Sequence, residues 1–158
     1  MKRVPLVALL AVALLIPSCR WDAHAPLDAA VVLLTLAPAV AVSGDTVHVA
    51  VLLANPTDRV LRFVPARSVC YLDFEVRDSA AVQVGWSGMG CVAIVPQPVE
   101  LAPHATRQSD FTWRVRTCSA PGLCADAAPG HYTLRGLADV GGPEPLPSPA
   151  VGLQVLPR

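Results

Sequence analysis

This sequence of 158 residues has almost no lysine. It has one long apolar run, at its N-terminus, and no two cysteines at the short spacing typical of a metal site. The only lysine is Lys2, and without Lys2 and Arg3 the chain holds ten arginines against twelve acidic residues, a formal charge of −2. A chain with no basic excess is a poor ligand for nucleic acid, so we expect no nucleic-acid partner. Beyond the N-terminal apolar run, no stretch is long enough for a transmembrane helix. The lack of any Cys-x-x-Cys pair disfavours a zinc site.

The first nineteen residues have the pattern of a bacterial export signal. A basic start precedes an apolar run at 4–16, which is too short to span a bilayer. The stretch Leu14-Leu15-Ile16-Pro17-Ser18-Cys19 resembles a lipobox, in which the cysteine is acylated and becomes the new N-terminus. We therefore expect a lipidated Cys19, carrying palmitate or a similar chain, that anchors the protein outside the cytoplasm on the cytoplasmic or outer membrane of a bacterium. The alternative is a signal peptide that is cleaved elsewhere and leaves no lipid.

The signal divides the chain into three parts. Residues 1–18 are predicted to be a removed lipoprotein signal peptide. Residues 19–30 carry charged and small residues with no apolar period, which is typical of a tether. Residues 31–158 are long enough for one compact domain with its own core.

The cysteine count fits export. If Cys19 carries lipid, Cys70, Cys91, Cys118 and Cys124 remain as an even set, which in an oxidising compartment indicates two disulfides. Of the three possible pairings, we favour Cys70 with Cys91 and Cys118 with Cys124. Free buried thiols are the alternative and would need a reducing compartment.

The favoured pairing depends on strand register and loop length. A hairpin that places Arg77 opposite Val82 would bring Cys70 within reach of Cys91. Cys118 and Cys124 flank only five residues, a spacing suited to local closure.

Short runs of alternating apolar and polar residues, separated by turn residues, dominate the rest of the chain. The alternation is clearest at 71–77 and 110–116. Residues expected to face the core in these two runs are Leu72, Phe74, Val76, Phe111, Trp113 and Val115. The opposite face of each run is expected to be solvated.

Further strands are predicted at 31–36, 46–54, 60–64, 82–86, 91–95, 131–139 and 151–156. About seven to nine strands at regular spacing, with no helical stripe, predict an all-β domain built as a two-sheet antiparallel sandwich.

The segments from Asp45 to Asp139 resemble the bacterial BsuPI-type intracellular proteinase inhibitor domain. The matching residues are Asn55 and the turn after it, Phe63, Tyr71–Asp78, Val84–Ser87, Val99–Pro103, Phe111–Trp113 and Pro129–Leu134. The resemblance implies an immunoglobulin-like β-sandwich in which Phe74, Trp86, Trp113 and Tyr132 fill the core. Tyr132, two residues after Gly130, is typical of a tyrosine corner.

This sequence departs from the family pattern in three ways. It has an export signal, it carries cysteines, and it inserts residues 116–128 before the final Pro-Gly turn. No inhibitory contact residue can be matched between the family and this chain.

No motif predicts catalysis, a metal or a cofactor. Gly88 and Gly90 precede a β-type run instead of the helix that a dinucleotide site needs. Ser87 lacks the glycine two residues later that a nucleophile elbow needs. The histidines at 24, 48, 104 and 131 stand alone in sequence. We expect a protein that is not an enzyme.

The sequence favours a lipid-anchored, protein-binding domain. Its expected contact surface is the loop braced by the second disulfide, Ser119, Ala120, Pro121, Gly122 and Leu123, together with the loop at 87–91. Alternatives are a proteinase inhibitor that presents the braced loop to a protease, and a structural accessory of a cell-envelope assembly.

Overall fold

The computed structural model describes residues 24–66, 70–87, 95, 97–120 and 123–158. The predicted signal peptide, Cys19, Cys91, Pro121, Gly122 and most of the strand predicted at 91–95 lie outside these residues. The described chain forms a 3-10 turn, Leu27–Ala29, and thirteen strands. The strands are β1 Val31–Ala37, β2 Val40–Val42, β3 Thr46–Ala54, β4 Leu61–Phe63, β5 Leu72–Arg77, β6 Gln83–Trp86, β7 Val99–Leu101, β8 Thr106–Arg114, β9 Arg116–Ala120, β10 Leu123–Asp126, β11 Gly130–Ala138, β12 Leu146–Pro147 and β13 Val151–Leu156.

Two sheets form the body of the molecule. One has the order β1-β3-β8, and the other has the order β2-β13-β11-β5-β6, with β12 also paired to β11. All pairs are antiparallel except β2 with β13, which run parallel. This is the strand arrangement of an immunoglobulin-like sandwich, so the predicted all-β fold is confirmed. The short pairs β4-β7 and β9-β10 complete the described strands.

The core lies between the two sheets, where the alternate residues of facing strands meet. On β3 the inward residues Val47, Val49, Val51 and Leu53 are at most 1% exposed. Phe74 of β5 is fully buried and contacts two rings of β8 edge-on, with centroid distances of 5.3 Å to Phe111 and 6.1 Å to Trp113. The inward residues predicted from alternation on β5 and β8 are all buried, because a period of two places them on one face.

The β5-β6 hairpin has a different register from the predicted one. Arg77 pairs with Gln83 instead of Val82, and a register shift between Val76 and Arg77 then pairs Val76 with Gly85. The shift occurs because the turn is longer than expected: the Asp78 carboxylate accepts hydrogen bonds from the amides of residues 80 and 82, at 2.9 Å and 3.0 Å.

The same register moves Trp86 out of the predicted core. Gly85 faces Val76, where an added Cβ would lie 3.2 Å from the Val76 Cβ. Trp86 therefore lies on the outer face, directly opposite Glu75, and is only half-buried.

The outer face of β5 is less solvated than predicted. Glu75 is only 8% exposed, because β5 is an interior strand with β11 on one side and β6 on the other. Arg77 pairs with this carboxylate through two hydrogen bonds, from Nε at 2.8 Å and Nη2 at 3.0 Å. The buried carboxylate is thus neutralised by a bidentate ion pair within its own strand.

The described residues just before the predicted boundary at residue 31 also contact the body of the molecule. Ala25 is 4% exposed and its amide donates a 3.0 Å hydrogen bond to the carbonyl of Val60. Residues 24–30, predicted as the end of the tether, therefore pack against the sandwich.

Candidate functional site

The described part of the predicted binding loop lies in a hairpin between β8 and β11. Strands β9 and β10 pair antiparallel, and all four residues of β10 are exposed. Ser119, Ala120 and Leu123 belong to these strands, while the other two predicted loop residues lie outside the described part of the chain. The segment predicted as an insertion thus forms a two-stranded hairpin in which β10 is the exposed strand.

A disulfide closes the hairpin across its two strands. Cys118 and Cys124 stand directly opposite each other in the register, with a Cα–Cα distance of 4.0 Å, and their sulfurs are bonded. This pairing was predicted from the short spacing and is confirmed. Cys70 is also in disulfide form. Its pairing with Cys91 stays a prediction, since Cys91 lies outside the described residues.

The base of the hairpin is held by backbone hydrogen bonds around the buried residue Val115. Its amide donates to the carbonyl of Asp45 at 2.7 Å, and its carbonyl accepts from the amides of Gly44 and Ala127, both at 3.2 Å. The Ser43 hydroxyl also donates to the Ala127 carbonyl, at 2.5 Å. These contacts fix both ends of the hairpin to the turn before β3.

Ion pairs also hold the base of the hairpin. The carboxylate of Asp126 lies 3.1 Å from Arg158 Nη2, 3.6 Å from Arg116 Nε and 3.7 Å from Arg114 Nη2. The arginines are 42–64% exposed, so each pair alone stabilises little. Their joint effect is to orient the hairpin and leave positive charge at its base.

One face of the hairpin forms an open hollow of about 430 Å³. Its lining consists of Thr117, Ser119, Leu123, Cys124 and Ala125. Leu123 is 68% exposed, and its carbonyl lies 3.5 Å from the Ser119 hydroxyl. A protruding leucine ringed by small hydroxyl and methyl groups is a surface suited to contact with another protein.

A smaller hollow of about 200 Å³ lies on the outer face of the three-stranded sheet. His48 and Asp110 are among its lining residues, but Asp110 already accepts a 2.8 Å hydrogen bond from Gln108. Among the described residues that line this hollow, no side chain is oriented as a nucleophile beside a base. Within the described residues, no group of three or more His, Cys, Asp or Glu side chains is placed to hold a metal ion.

The other histidine contacts are at the surface. His104 Nε2 lies 2.9 Å from a carboxylate oxygen of Asp58, and both side chains are well exposed.

In the part of the chain that the structure describes, no helix has the length and apolar character needed to cross a membrane.

Sequence reasoning missed the arginine cluster around Asp126. Arg114 and Arg116 belong to one run, but Arg158 is distant in sequence and meets Asp126 only through the fold. The only local indication of this cluster was the alternation of Arg114 and Arg116 with Val115, which places the two arginines on the same face.

Neither a family model nor a curated protein matches this sequence. Among solved structures, it is similar to the Pseudomonas fluorescens alkylpurine DNA glycosylase AlkC bound to DNA containing an abasic site analog, with a TM-score of 0.50 and 11% identity over 81% of this chain and 30% of that one. It is also similar to the β-glucosidase EmGH1 from Erythrobacter marinus, with a TM-score of 0.49 and 17% identity over 80% of this chain and 15% of that one.

The C-terminal domain of wzt gives a TM-score of 0.49 and 11% identity over 81% of this chain and 74% of that one. This chain spans less than a third of the two enzymes. At these identities the likeness concerns the fold alone.

Proposed function

We propose that this protein is a non-catalytic, membrane-anchored extracytoplasmic lipoprotein whose immunoglobulin-like domain binds another protein through the β9-β10 hairpin. The observation that carries the proposal is the hairpin itself: strand β10 is exposed along its whole length, the Cys118–Cys124 disulfide closes the two strands, and Leu123 is 68% exposed.

The brace favours binding because it lowers the entropy that is lost when a loop is ordered by a partner. A flexible loop loses backbone and side-chain freedom on association, whereas a hairpin already held by Cys118–Cys124 and by the hydrogen bonds of Val115 has less to lose. Leu123 then supplies the apolar anchor, and Thr117 and Ser119 supply a polar rim.

The location outside the cytoplasm is supported by two independent features. The N-terminal residues have an export and lipidation pattern that ends at Cys19. The Cys118–Cys124 disulfide is of a kind that persists in oxidising compartments and is rare in the cytosol.

A matched pair of variants tests the binding hairpin. Leu123→Ser removes the exposed leucine of the hairpin, while Val82→Ser removes a comparably exposed valine, 57%, at the β5-β6 turn. We expect the affinity for a specific partner, measured by capture from cross-linked membranes, to fall about five- to thirtyfold for Leu123→Ser, since a central apolar anchor contributes on the order of 1–2 kcal/mol. Capture by Val82→Ser should match the wild type.

Equal loss in both variants, or no loss in either, contradicts the hairpin as the binding surface.

The lipid anchor is tested separately by the intact mass of the membrane-extracted chain. A mature chain that begins at Cys19 and carries acyl mass is expected, and a mass without acyl groups contradicts the lipid anchor.

The disulfide-braced hairpin also supports a second candidate function, a proteinase inhibitor. A segment whose ends are joined by Cys118 and Cys124 can lie in a protease cleft as a rigid substrate mimic that is cleaved slowly. The test is inhibition of a panel of secreted serine proteases at micromolar protein, with the Cys118→Ser/Cys124→Ser variant as control. Inhibition that requires the disulfide supports this function, and no inhibition of the panel contradicts it.

A further inference from the structure

The Cys118–Cys124 disulfide lies at the surface of the molecule. Cys124 is exposed, like every residue of β10, and Cys118 of β9 is half-buried. Cys70, which is also in disulfide form, is half-buried. Exposed disulfides are generally the labile ones, because an attacking thiolate needs access to a sulfur.

Positive charge lies on the same face of the hairpin as this disulfide. Side chains alternate along a strand, so Arg116 shares a face with Cys118 and lies about 7 Å from it along β9. On the paired strand, Asp126 shares the same face with Cys124. The ion pair of Arg116 with Asp126 is therefore the next pair inward from the disulfide.

The arginines in this region outnumber the acid that they surround. Arg114, Arg116 and Arg158 all lie within 3.7 Å of the single carboxylate of Asp126, which leaves an excess of two positive charges among these four side chains. The carboxylate of Asp45 in the adjoining turn accepts a backbone hydrogen bond at 3.0 Å instead of pairing with these arginines.

An excess of positive charge favours thiol–disulfide exchange in two ways. The attacking group is an anionic thiolate, and nearby cations raise its local concentration. The sulfur that leaves the disulfide also becomes a thiolate, and a neighbouring guanidinium stabilises it, so that it leaves faster. An exposed disulfide beside unbalanced arginines is therefore placed for exchange.

We propose that the Cys118–Cys124 disulfide is a thiol-exchange site, which a dithiol reductant opens while the sandwich stays folded. The exchange itself needs no protein partner. Its consequence for binding, the loss of an ordered surface around Leu123, rests on the proposed function.

The exchange takes place in two steps. A thiolate of the dithiol attacks the sulfur of the exposed Cys124, so that a mixed disulfide forms, the Cys118–Cys124 bond breaks and Cys118 leaves as a thiolate. The second thiol of the reductant then attacks the reductant's own sulfur in the mixed disulfide, which closes the reductant into a cyclic disulfide and releases Cys124. Overall the dithiol supplies two electrons and two protons and is itself oxidised.

The outer part of the hairpin depends on this bridge. Beyond the cysteine pair the described strands contain one further pair, Leu123 with Ala120, which follows a register shift between Leu123 and Cys124. The Ser119 hydroxyl lies 3.5 Å from the Leu123 carbonyl, at the limit of a hydrogen bond. Reduction should therefore release the surface that carries Leu123.

The base of the hairpin is held without the bridge. The backbone bonds of Val115 to Gly44, Asp45 and Ala127 contain no sulfur and stay in place when the disulfide opens. Opening should therefore be confined to the hairpin and leave the two main sheets intact.

The test follows the reduction of each cysteine in the folded protein. The full chain in non-ionic detergent is treated with dithiothreitol at neutral pH, free thiols are alkylated at successive times, and peptide mass spectrometry gives the reduced fraction at each position. We expect Cys118 and Cys124 to be reduced at least about tenfold faster than Cys70, with the circular dichroism of the sandwich unchanged. Hydrogen exchange at 116–120 and 123–126 should rise in the reduced protein.

Equal reduction rates for the two disulfides overturn the proposal, and so does reduction that occurs only as the circular dichroism is lost. Either result leaves the proposed binding function standing, because the Leu123→Ser comparison tests binding without any reductant.

Matched arginine variants test the role of the charge. Arg116→Gln and Arg158→Gln each remove a cation near the disulfide, while Arg62→Gln removes one that is similarly exposed on the distant strand β4. At low ionic strength we expect reduction to slow about three- to tenfold in the first two variants, the size of one charge interaction at about 7 Å near a protein surface, and to be unchanged in the third. The difference should disappear at about 1 M salt. Unchanged rates in both Arg116→Gln and Arg158→Gln overturn the part of the proposal that assigns the arginines a role.

Discussion

Tyr132 donates a hydrogen bond from its hydroxyl to the carbonyl oxygen of Ala128, four residues earlier, at 2.9 Å. The ring is 7% exposed at the start of β11, and Ala128 lies in the connection that returns from the hairpin. This is the geometry of a tyrosine corner, predicted from the Gly130-His131-Tyr132 sequence and confirmed here. The bond joins the candidate binding hairpin to the core of the sandwich.

Tyr132→Phe keeps the ring and removes this bond. We expect a loss of about 1 kcal/mol in the free energy of unfolding, the usual contribution of one hydrogen bond. The measurement is urea denaturation at neutral pH. A stability equal to that of the wild type would show that the bond contributes nothing.

Tyr132 also predicts sensitivity to alkali. Burial, and secondarily the negative charge of Asp78, raises the pKa of Tyr132 above its usual 10.0. The folded state therefore holds this proton at a pH where the unfolded chain has lost it, so the resulting stability is present below pH 10 and declines as the pH rises further. Denaturation midpoints across this range should fall more steeply for the wild type than for Tyr132→Phe.

Asn55 joins three segments through one buried amide. The side chain is almost fully buried, and its Nδ2 donates to the carbonyls of Arg59 at 2.7 Å and of Leu101 and Ala102 at 3.0 Å. Asn55→Ala leaves these carbonyls without that donor, and we expect a loss of about 2–4 kcal/mol in unfolding free energy. Thr57→Val, which removes a hydroxyl bonded to Asn55 Oδ1 at 2.7 Å and to the backbone of Arg59, is the milder control. Equal effects of both changes in urea denaturation would contradict the central role of the amide.

The ion pair of Glu75 and Arg77 should contribute far more to folding stability than the exposed pair of Arg62 and Glu100. Glu75 has a side chain only 10% exposed, and its carboxylate raises the pKa of Arg77 through the hydrogen bonds between them. Arg77→Met leaves that carboxylate buried without its cation, whereas Arg62→Met leaves a carboxylate that is 60% exposed. We expect the urea midpoint to fall several times further for Arg77→Met. In the double variant Glu75→Gln/Arg77→Met much of the loss should be recovered, and no recovery would contradict the buried-charge explanation.

The Cys118–Cys124 bridge should control the opening of the hairpin. Replacing both cysteines by serine removes a loop closure that contributes about 2 kcal/mol, which corresponds to a roughly thirtyfold rise in local opening. Hydrogen exchange is expected to speed up at 116–120 and 123–126 by that factor, with much smaller changes in β3. Ser119→Ala, which touches only the 3.5 Å contact to the Leu123 carbonyl, is the control. Equal exchange with and without the bridge would contradict its bracing role.

The sandwich was predictable where neighbouring residues carry the information. Phe74 and Val76 were assigned to the core because strand side chains alternate, and this rule depends on backbone geometry alone. The Cys118–Cys124 pair was predictable for a similar reason, since six positions separate the two cysteines and a hairpin brings them together.

Other features depend on partners that are remote in sequence. Glu75 is buried because β11 and β6 flank it, and Trp86 lies outside the core because a longer turn shifts its register. Asp126 meets Arg158 only after β13 has paired along β11. Pattern reasoning could not place these groups, because each position depends on a pairing between distant segments.

The amino-acid sequence by itself determined the all-β class, the inward face of the main strands and the closure of the hairpin, since all three follow from local periodicity and spacing. Only the tertiary structure decided which strands became edges of the sheets, which carboxylate was buried and what holds the base of the hairpin. Those outcomes depend on the order of strands within each sheet, and that order is set by packing across the whole domain.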